Sequence, residues 1–387
     1  MRQYERSHPW LTFRFDAGRL THLDWLHLGE ALSKCDHIAG VPLQPAVAEE
    51  LHEIYLAKGI NATTQIEGNT LSEEEARQRI AGRLRLPESQ EYLGVEIDNI
   101  LEVCREIYAD LAAGGVRRLD PTRVTEFNAR VLTGLALADD VAPGETRVHP
   151  VVVNGYRGAP AEDCDYLLER LSGWLATLCD GLPAELHRPM RIVRAILAHL
   201  YLAWIHPFGD GNGRTARLME FQLLLEAGLP TPACHLLSNY YNRTRTRYYA
   251  VLAQTSRPPF PVEDFVAYAV RGFLEELREQ LANIRHQQLL VAWVNYVHER
   301  FQGASTPARR RQRDLVLSLP VDRHTPVAAI ARLTPDIAVQ YATKQHKTVV
   351  RDVNELIRMS LVERTSAGVR PLIEQMAAFP PLRTVPH

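Results

Sequence analysis

Apolar residues recur every three or four positions along most of the chain, the period of an amphipathic helix. Between residues 20 and 58 the stripe runs Leu23, Leu26, Leu28, Leu32, then Val47, Leu51 and Ile54. The same spacing marks 90–112, 121–136, 163–179, 188–205, 214–227 and 261–300, so the chain reads as mainly α. One segment departs from it. Val151-Val152-Val153-Asn154-Gly155-Tyr156-Arg157 joins a β-branched run to an Asn-Gly turn and a short return, which predicts a hairpin. An isolated hairpin is marginal unless something packs on it, so it is either a working flap or surface decoration.

Around 302–308 the composition shifts to Gln-Gly-Ala-Ser-Thr-Pro-Ala, and Arg309-Arg310-Arg311 follows, which predicts a linker at 302–308. Residues 309–387 then read as a winged-helix-like module. Helices are expected at 314–319 and 327–333, a recognition helix at 346–356, and a strand at 361–364 leading into a wing at 366–368. Basic residues outnumber acidic ones over 309–373, which permits contact with a DNA backbone. The gap between the second and third helices is longer than the usual turn, and a protein-docking or dimer-forming module is the competing reading.

Length and composition narrow the class. A chain of 387 residues holds two or three domains, here expected as 1–110, 111–301 and 309–387. With 46% apolar and 23% charged residues the composition is that of a soluble globular protein. A net charge of −2 supplies no global field for nucleic acid. Five scattered cysteines without a C-x-x-C pair argue for reduced thiols, not a disulfide frame or zinc site. No apolar signal core and no run of eighteen apolar residues are present, so a cytoplasmic location with no membrane partner is expected.

The chemistry concentrates in His206-Pro207-Phe208-Gly209-Asp210-Gly211-Asn212-Gly213-Arg214-Thr215-Ala216-Arg217. Three glycines in five residues give up backbone order unless main-chain N–H groups must approach an anion, here at the start of a helix whose dipole favours negative charge. Arg214 and Arg217 share a face of the first turn and can grip further phosphate oxygens. Asp210 is a hard oxygen ligand of the kind Mg²⁺ prefers. His206 is the one side chain here whose ordinary pKa suits proton transfer near neutrality. Nucleotide phosphates, magnesium and a general base are the reading; a helical hairpin with a merely glycine-rich loop is the alternative.

This stretch resembles the Fic-family signature His-Pro-Phe-x-(Asp/Glu)-Gly-Asn-Gly-Arg-x-x-Arg at every defined position. The resemblance implies a mainly α, Fic-type helical bundle that transfers AMP from ATP to a Tyr, Thr or Ser hydroxyl of target proteins. It implies His206 as the catalytic base, Asp210 as the Mg²⁺ ligand, and Gly209, Asp210, Gly211, Asn212, Gly213, Arg214, Thr215 and Arg217 around the nucleotide. The hairpin at about 148–158, with Val151, Val152 and Val153, resembles the family's target-docking flap. Leu237-Ser238-Asn239-Tyr240 and Tyr248-Tyr249 resemble the adenine surroundings, which nominates Tyr240 and Tyr248 for the base; packing tyrosines are the alternative.

Upstream, Thr63-Thr64-Gln65-Ile66-Glu67-Gly68 is similar to the family's inhibitory motif (Ser/Thr)-x-x-x-Glu-(Gly/Asn). Thr63 and Glu67 are expected on one helix face with Gly68 as C-cap, and Glu67 is expected to pair bidentately with Arg217, competing with ATP. Relatives also use this glutamate to remove AMP, so de-AMPylation stays open, and relatives often dimerise. Two further alternatives stand: a Fic-fold transferase moving UMP or another group, and an ATP-sensing transcription regulator acting through the C-terminal module.

Overall fold

The computed structural model describes residues 2–115, 118–153, 155–303 and 306–377. They form two compact units, Met1–Leu281 and Ala282–His387. In chain order the first unit contains helices α1 (Tyr4–Ser7), α2 (His22–Gly40), α3 (Pro45–Gln65), α4 (Glu73–Ile80), α5 (Glu91–Ala112) and α6 (Pro121–Val131). After the hairpin β1 (Val152–Val153) and β2 (Tyr156–Arg157) come α7 (Cys164–Thr177), α8 (Ala184–Ile205), α9 (Asn212–Glu226), α10 (Thr231–Cys234), α11 (Leu236–Arg243) and α12 (Arg245–Thr255). The long α13 (Val262–Arg300) carries the chain into the second unit.

The expected helix over 20–58 is two helices. Thr21 and Asp24 form a reciprocal capping box that starts α2. Pro42 disfavours helix at the residue before it, and Pro45 opens α3 at its first position, where the missing N–H costs nothing. The helix expected over 121–136 ends at Val131, because Gly134 turns left-handed (φ 70°). Helices α4, α11 and α12 were not legible as apolar stripes; α4 rests instead on a Ser72–Glu75 capping box.

The centre of the first unit is α8, buried along its second half from Ile192 to Ile205 apart from Arg194 and Ala203. It packs antiparallel to α9 and against α7, while α5 and α6 flank α9. Phe127, Tyr201, Trp204, Phe208, Tyr241, Phe265 and Phe273 fill this core. That placement fixes the α8–α9 connection, residues 206–211, on a rigid base.

In the second unit α14 (Pro307–Ser318) begins inside the expected linker, capped by the Thr306 side chain; residues 304 and 305 lie outside the described residues. The segment expected as a second helix is a 3₁₀ turn, Val327–Arg332, followed by α15 (Pro335–Tyr341) and α16 (His346–Arg358). Strands β3 (Val362–Thr365) and β4 (Gly368–Pro371) pair antiparallel, and Thr325 bridges to Val369. Gly368 therefore lies in a strand. The unit is pinned by Asp352, fully buried, which accepts from Arg311 (2.7 Å), Gln312 (3.0 Å) and Tyr341 (3.0 Å). Residues 378–387 of the expected module lie outside the described residues. Among the described residues no helix is long and apolar enough to cross a membrane.

Candidate active site

The α8–α9 loop is held by side chains as much as by its own backbone. His206 leaves α8 in the left-handed region (φ 51°), donating its N–H to Leu202 O at 2.9 Å. Phe208 is fully buried beneath the loop. The Asn212 side chain clamps it on both sides, accepting from Phe208 N (2.9 Å) and donating to Phe208 O (2.8 Å). Gly211 precedes α9 with φ 78°, a conformation that costs a glycine little, and Asn128 donates to the Asp210 carbonyl at 2.8 Å. Asn128 also accepts from Gly144 N at 3.0 Å. The first turn of α9 thus opens toward the cleft with amides that have no intrahelical partner.

Both arginines are buried and already engaged. Arg214 reaches Glu96 on α5 and Asp210, each at 3.1 Å. Arg217 donates through one nitrogen to Glu67 (2.5 Å) and to the Thr63 carbonyl (2.9 Å). The expected bidentate pair is therefore a single-nitrogen contact, and Thr63 takes part through its backbone. Glu67 does not share a helix face with Thr63 either. α3 ends at Gln65, and Glu67 lies in the following turn, where Gly68 adopts φ 109°. Its carboxylate rests on the start of α9, so that a Cβ on Gly213 would collide with it. Burial alone would push this carboxyl up, but Arg217, with Arg214 behind it, outweighs burial and holds it below the ordinary range.

Glu67, Gly213, Arg217 and His206 line one side of a cleft of about 740 Å³ including its mouth; Ala203, Trp204, Tyr248, Tyr249, Leu252, Ala253, Val153 and Tyr156 complete it. Burial lowers the His206 imidazole to about 4, opposed by a contact with the Ala203 carbonyl. That contact, 3.3 Å from Nδ1, assigns the ring proton to Nδ1 and leaves Nε2 as an unprotonated acceptor. Tyr248 reaches the cleft, and its hydroxyl meets His199 Nε2 at 2.8 Å. His199 in turn faces Glu220, which accepts from Tyr241 at 2.9 Å. Tyr240 is not brought to the cleft: it packs on Tyr268 and over Gly272 of α13. Thr215 is fully buried beside Asn128, and Gly209 packs against Val141.

In the hairpin Val152 pairs with Arg157 and Val153 with Tyr156; Asn154 lies outside the described residues. Val151 stands just before the strand, its carbonyl accepting from Gly158 N at 3.1 Å. Val152 is 65% exposed, an apolar side chain on an unpaired strand edge. The Tyr156 hydroxyl donates to Trp204 O at 2.8 Å and accepts from Trp10 at 3.3 Å, so the hairpin is packed against the first unit.

Asp210 is the carboxylate expected from the sequence to hold a metal. Its side chain is half exposed and accepts from Arg214 and from Gly211 N. Among the described residues no group of three or more His, Cys, Asp or Glu converges. One carboxylate beside an anion cradle suits Mg²⁺, whose remaining ligands are typically phosphate oxygens and water. Glu96, Asn128 and Arg147 were missed in the sequence, because each meets the loop from far along the chain.

A family model described as Fic/DOC family matches residues 118–224. The protein adenylyltransferase Fic of Drosophila virilis is 34% identical over 218 residues, covering 56% of this chain and 40% of that protein. That of Drosophila melanogaster is 32% identical over 217 residues, with coverage of 56% and 40%. The chain spans about two fifths of the length of these curated relatives. Among solved structures, a Fic family protein from Desulfovibrio desulfuricans G20 gives a TM-score of 0.54 at 19% identity, covering 88% of this chain and 92% of that one. Fic-1 from C. elegans gives 0.54 at 23% identity, covering 68% and 73%.

Proposed function

We propose that this chain, a member of the Fic family by the domain at residues 118–224 and by its mainly α fold with a small hairpin, transfers AMP from ATP to a hydroxyl of a target protein. The observation that carries the reading is a neutral imidazole, His206, facing one cleft together with the α9 N-terminus at Gly213 and the buried Arg217, with the buried Arg214 three residues before it on the same helix. In this reading the free amides of the first turn of α9 and the guanidiniums of Arg214 and Arg217 receive the phosphates. Mg²⁺ held on Asp210 would neutralise charge on the phosphate oxygens. Tyr248, Tyr249 and Leu252 offer a mostly apolar wall for the base.

His206 Nε2 takes the proton of an incoming Tyr, Thr or Ser hydroxyl, whose oxygen attacks the α-phosphorus as pyrophosphate leaves. The exposed edge of Val152–Val153 would dock the target segment by main-chain pairing. Glu67 is a brake in this scheme: its carboxylate occupies Arg217 and the helix N-terminus that the terminal phosphate needs. The same carboxylate is suited to orient a water for the reverse reaction. The test is to incubate Glu67→Gly protein with ATP and Mg²⁺ and read peptides by mass spectrometry. An AMP adduct on a Tyr, Thr or Ser, absent from the His206→Ala partner, supports transfer; UTP outperforming ATP would favour a UMP transferase.

A further inference from the structure

We propose that Arg147 is the positioning residue of this site: its guanidinium holds the loop backbone at His206 and ties both stems of the hairpin to that point, so that base geometry and acceptor docking are set together. The proposal rests on His206 acting as the base.

Three successive loop carbonyls are claimed from the hairpin stems. Ile205 O accepts from Ala159 N (3.1 Å), His206 O from Arg147 Nε (2.8 Å) and Pro207 O from Arg147 N (2.9 Å). The other two guanidinium nitrogens go to His149 O (2.8 Å) and Ala159 O (2.5 Å), one on each stem of the hairpin. A planar fork with fixed donor directions is what three divergent carbonyls require, and an ammonium cannot replace it. The closure is tight as well. A Cβ on Gly158 would lie 2.9 Å from Arg147 Nη2, 3.0 Å from His206 Cβ and 3.2 Å from Val151 Cγ2.

Arg147 is only 4% exposed, and among the described residues no carboxylate lies within ion-pair distance of it. A buried guanidinium satisfied by carbonyls alone has no ion-pair partner, and Glu162 acts on its charge only from beyond ion-pair distance. It therefore opposes protonation of the neighbouring imidazole. The other charges facing His206 are Glu67, from the turn after α3, and Asp210 on its own loop; both favour protonation, and each is offset by Arg217 or Arg214. Removing the Arg147 charge leaves the two carboxylates to act, so His206 must gain affinity for a proton.

The experiment compares Arg147→Gln and Arg147→Lys in the Glu67→Gly background, with His206 titrated by NMR and assigned through its loss in His206→Ala. Arg147→Gln should raise the His206 midpoint, burial continuing to hold it below the ordinary value. It should also lower kcat by about tenfold or more, with KM for ATP held within about twofold. Arg147→Lys should keep the low midpoint and still lose kcat, because charge survives and the fork does not. A folded Arg147→Gln protein with an unmoved His206 titration overturns the proposal, as does an Arg147→Lys protein with undiminished kcat. Should Arg147→Gln fail to fold, Arg147→Lys alone decides. Absence of AMP transfer from the Glu67→Gly parent would instead strike the proposed activity, and the His206 titration would still decide the part played by Arg147.

Discussion

Removing the Glu67 carboxylate should release the site, and the structure bounds by how much. Arg217 is 1% exposed at its side chain and has two acceptors here, Glu67 at 2.5 Å and Thr63 O at 2.9 Å. A hydrogen bond between charged groups contributes about 1.5–3 kcal/mol. The Glu67 side chain is 32% exposed, so solvent screens its part of the pair and the lower half of that range applies. About 1.5–2 kcal/mol corresponds to a tenfold to thirtyfold preference for the blocked arrangement. Glu67→Gly should therefore raise self-AMPylation, measured with labelled ATP and Mg²⁺, by about ten- to thirtyfold at subsaturating ATP.

The same substitution leaves Arg217 with one neutral acceptor, so the nucleotide-free protein should melt at a lower temperature and regain stability when ATP binds. Coupled gain of rate and loss of apo stability is the signature of a carboxylate standing in for a ligand. A rate equal to or below that of the unmodified chain would refute the reasoning, whatever happens to the melting temperature.

Three further outcomes follow from the geometry. His206→Ala should abolish AMP transfer in the Glu67→Gly background while leaving nucleotide binding by calorimetry within about threefold, since the base acts only on the acceptor. Asn212→Ala strands the Phe208 N–H and C=O beneath the loop and should cost about 2–4 kcal/mol in denaturant unfolding. Stability should also fall on acidification: His206 sits near 4 in the folded chain against an ordinary 6.5, so the unfolded state takes the proton first and stability drops as pH falls from 6.5 toward 4. Urea melts of the unmodified chain and of His206→Ala separate that contribution, because the variant should lose less stability over the same window.

The candidate loop was legible because its chemistry is contiguous. The imidazole, the carboxylate, the glycines and the arginines fall within residues 206–217, and a strand-period run with a turn residue at Gly155 (φ 81°) marked the hairpin without any knowledge of its neighbours. Glu67 was legible by type and order, but not in its manner of contact. A four-residue spacing places two side chains on one face only while the helix lasts, and α3 ends two residues short of Glu67. The chain turns instead, which drops the carboxylate onto α9 and turns the Thr63 carbonyl toward Arg217.

What stayed illegible depends on pairs separated by long stretches of chain. Glu96 lies 118 residues from Arg214, and Arg147 lies 59 from His206; as single letters in an amphipathic pattern neither differs from a solvated charge. The tyrosines make the same point at short range. Tyr240 and Tyr248 are eight positions apart in a sequence that reads as one polar-aromatic stretch, yet α11 and α12 break at Thr244 (φ −110°, ψ 32°). That break turns one ring onto Gly272 of α13 and the other into the cleft. An apolar period tells which face of one helix is buried, but not how far a second helix rotates across a one-residue joint. The wall proposed for the base is therefore a property of the joint at Thr244, and under that proposal substitutions there should alter the ratio of ATP to GTP affinity measured by calorimetry without touching any residue of the 206–217 loop.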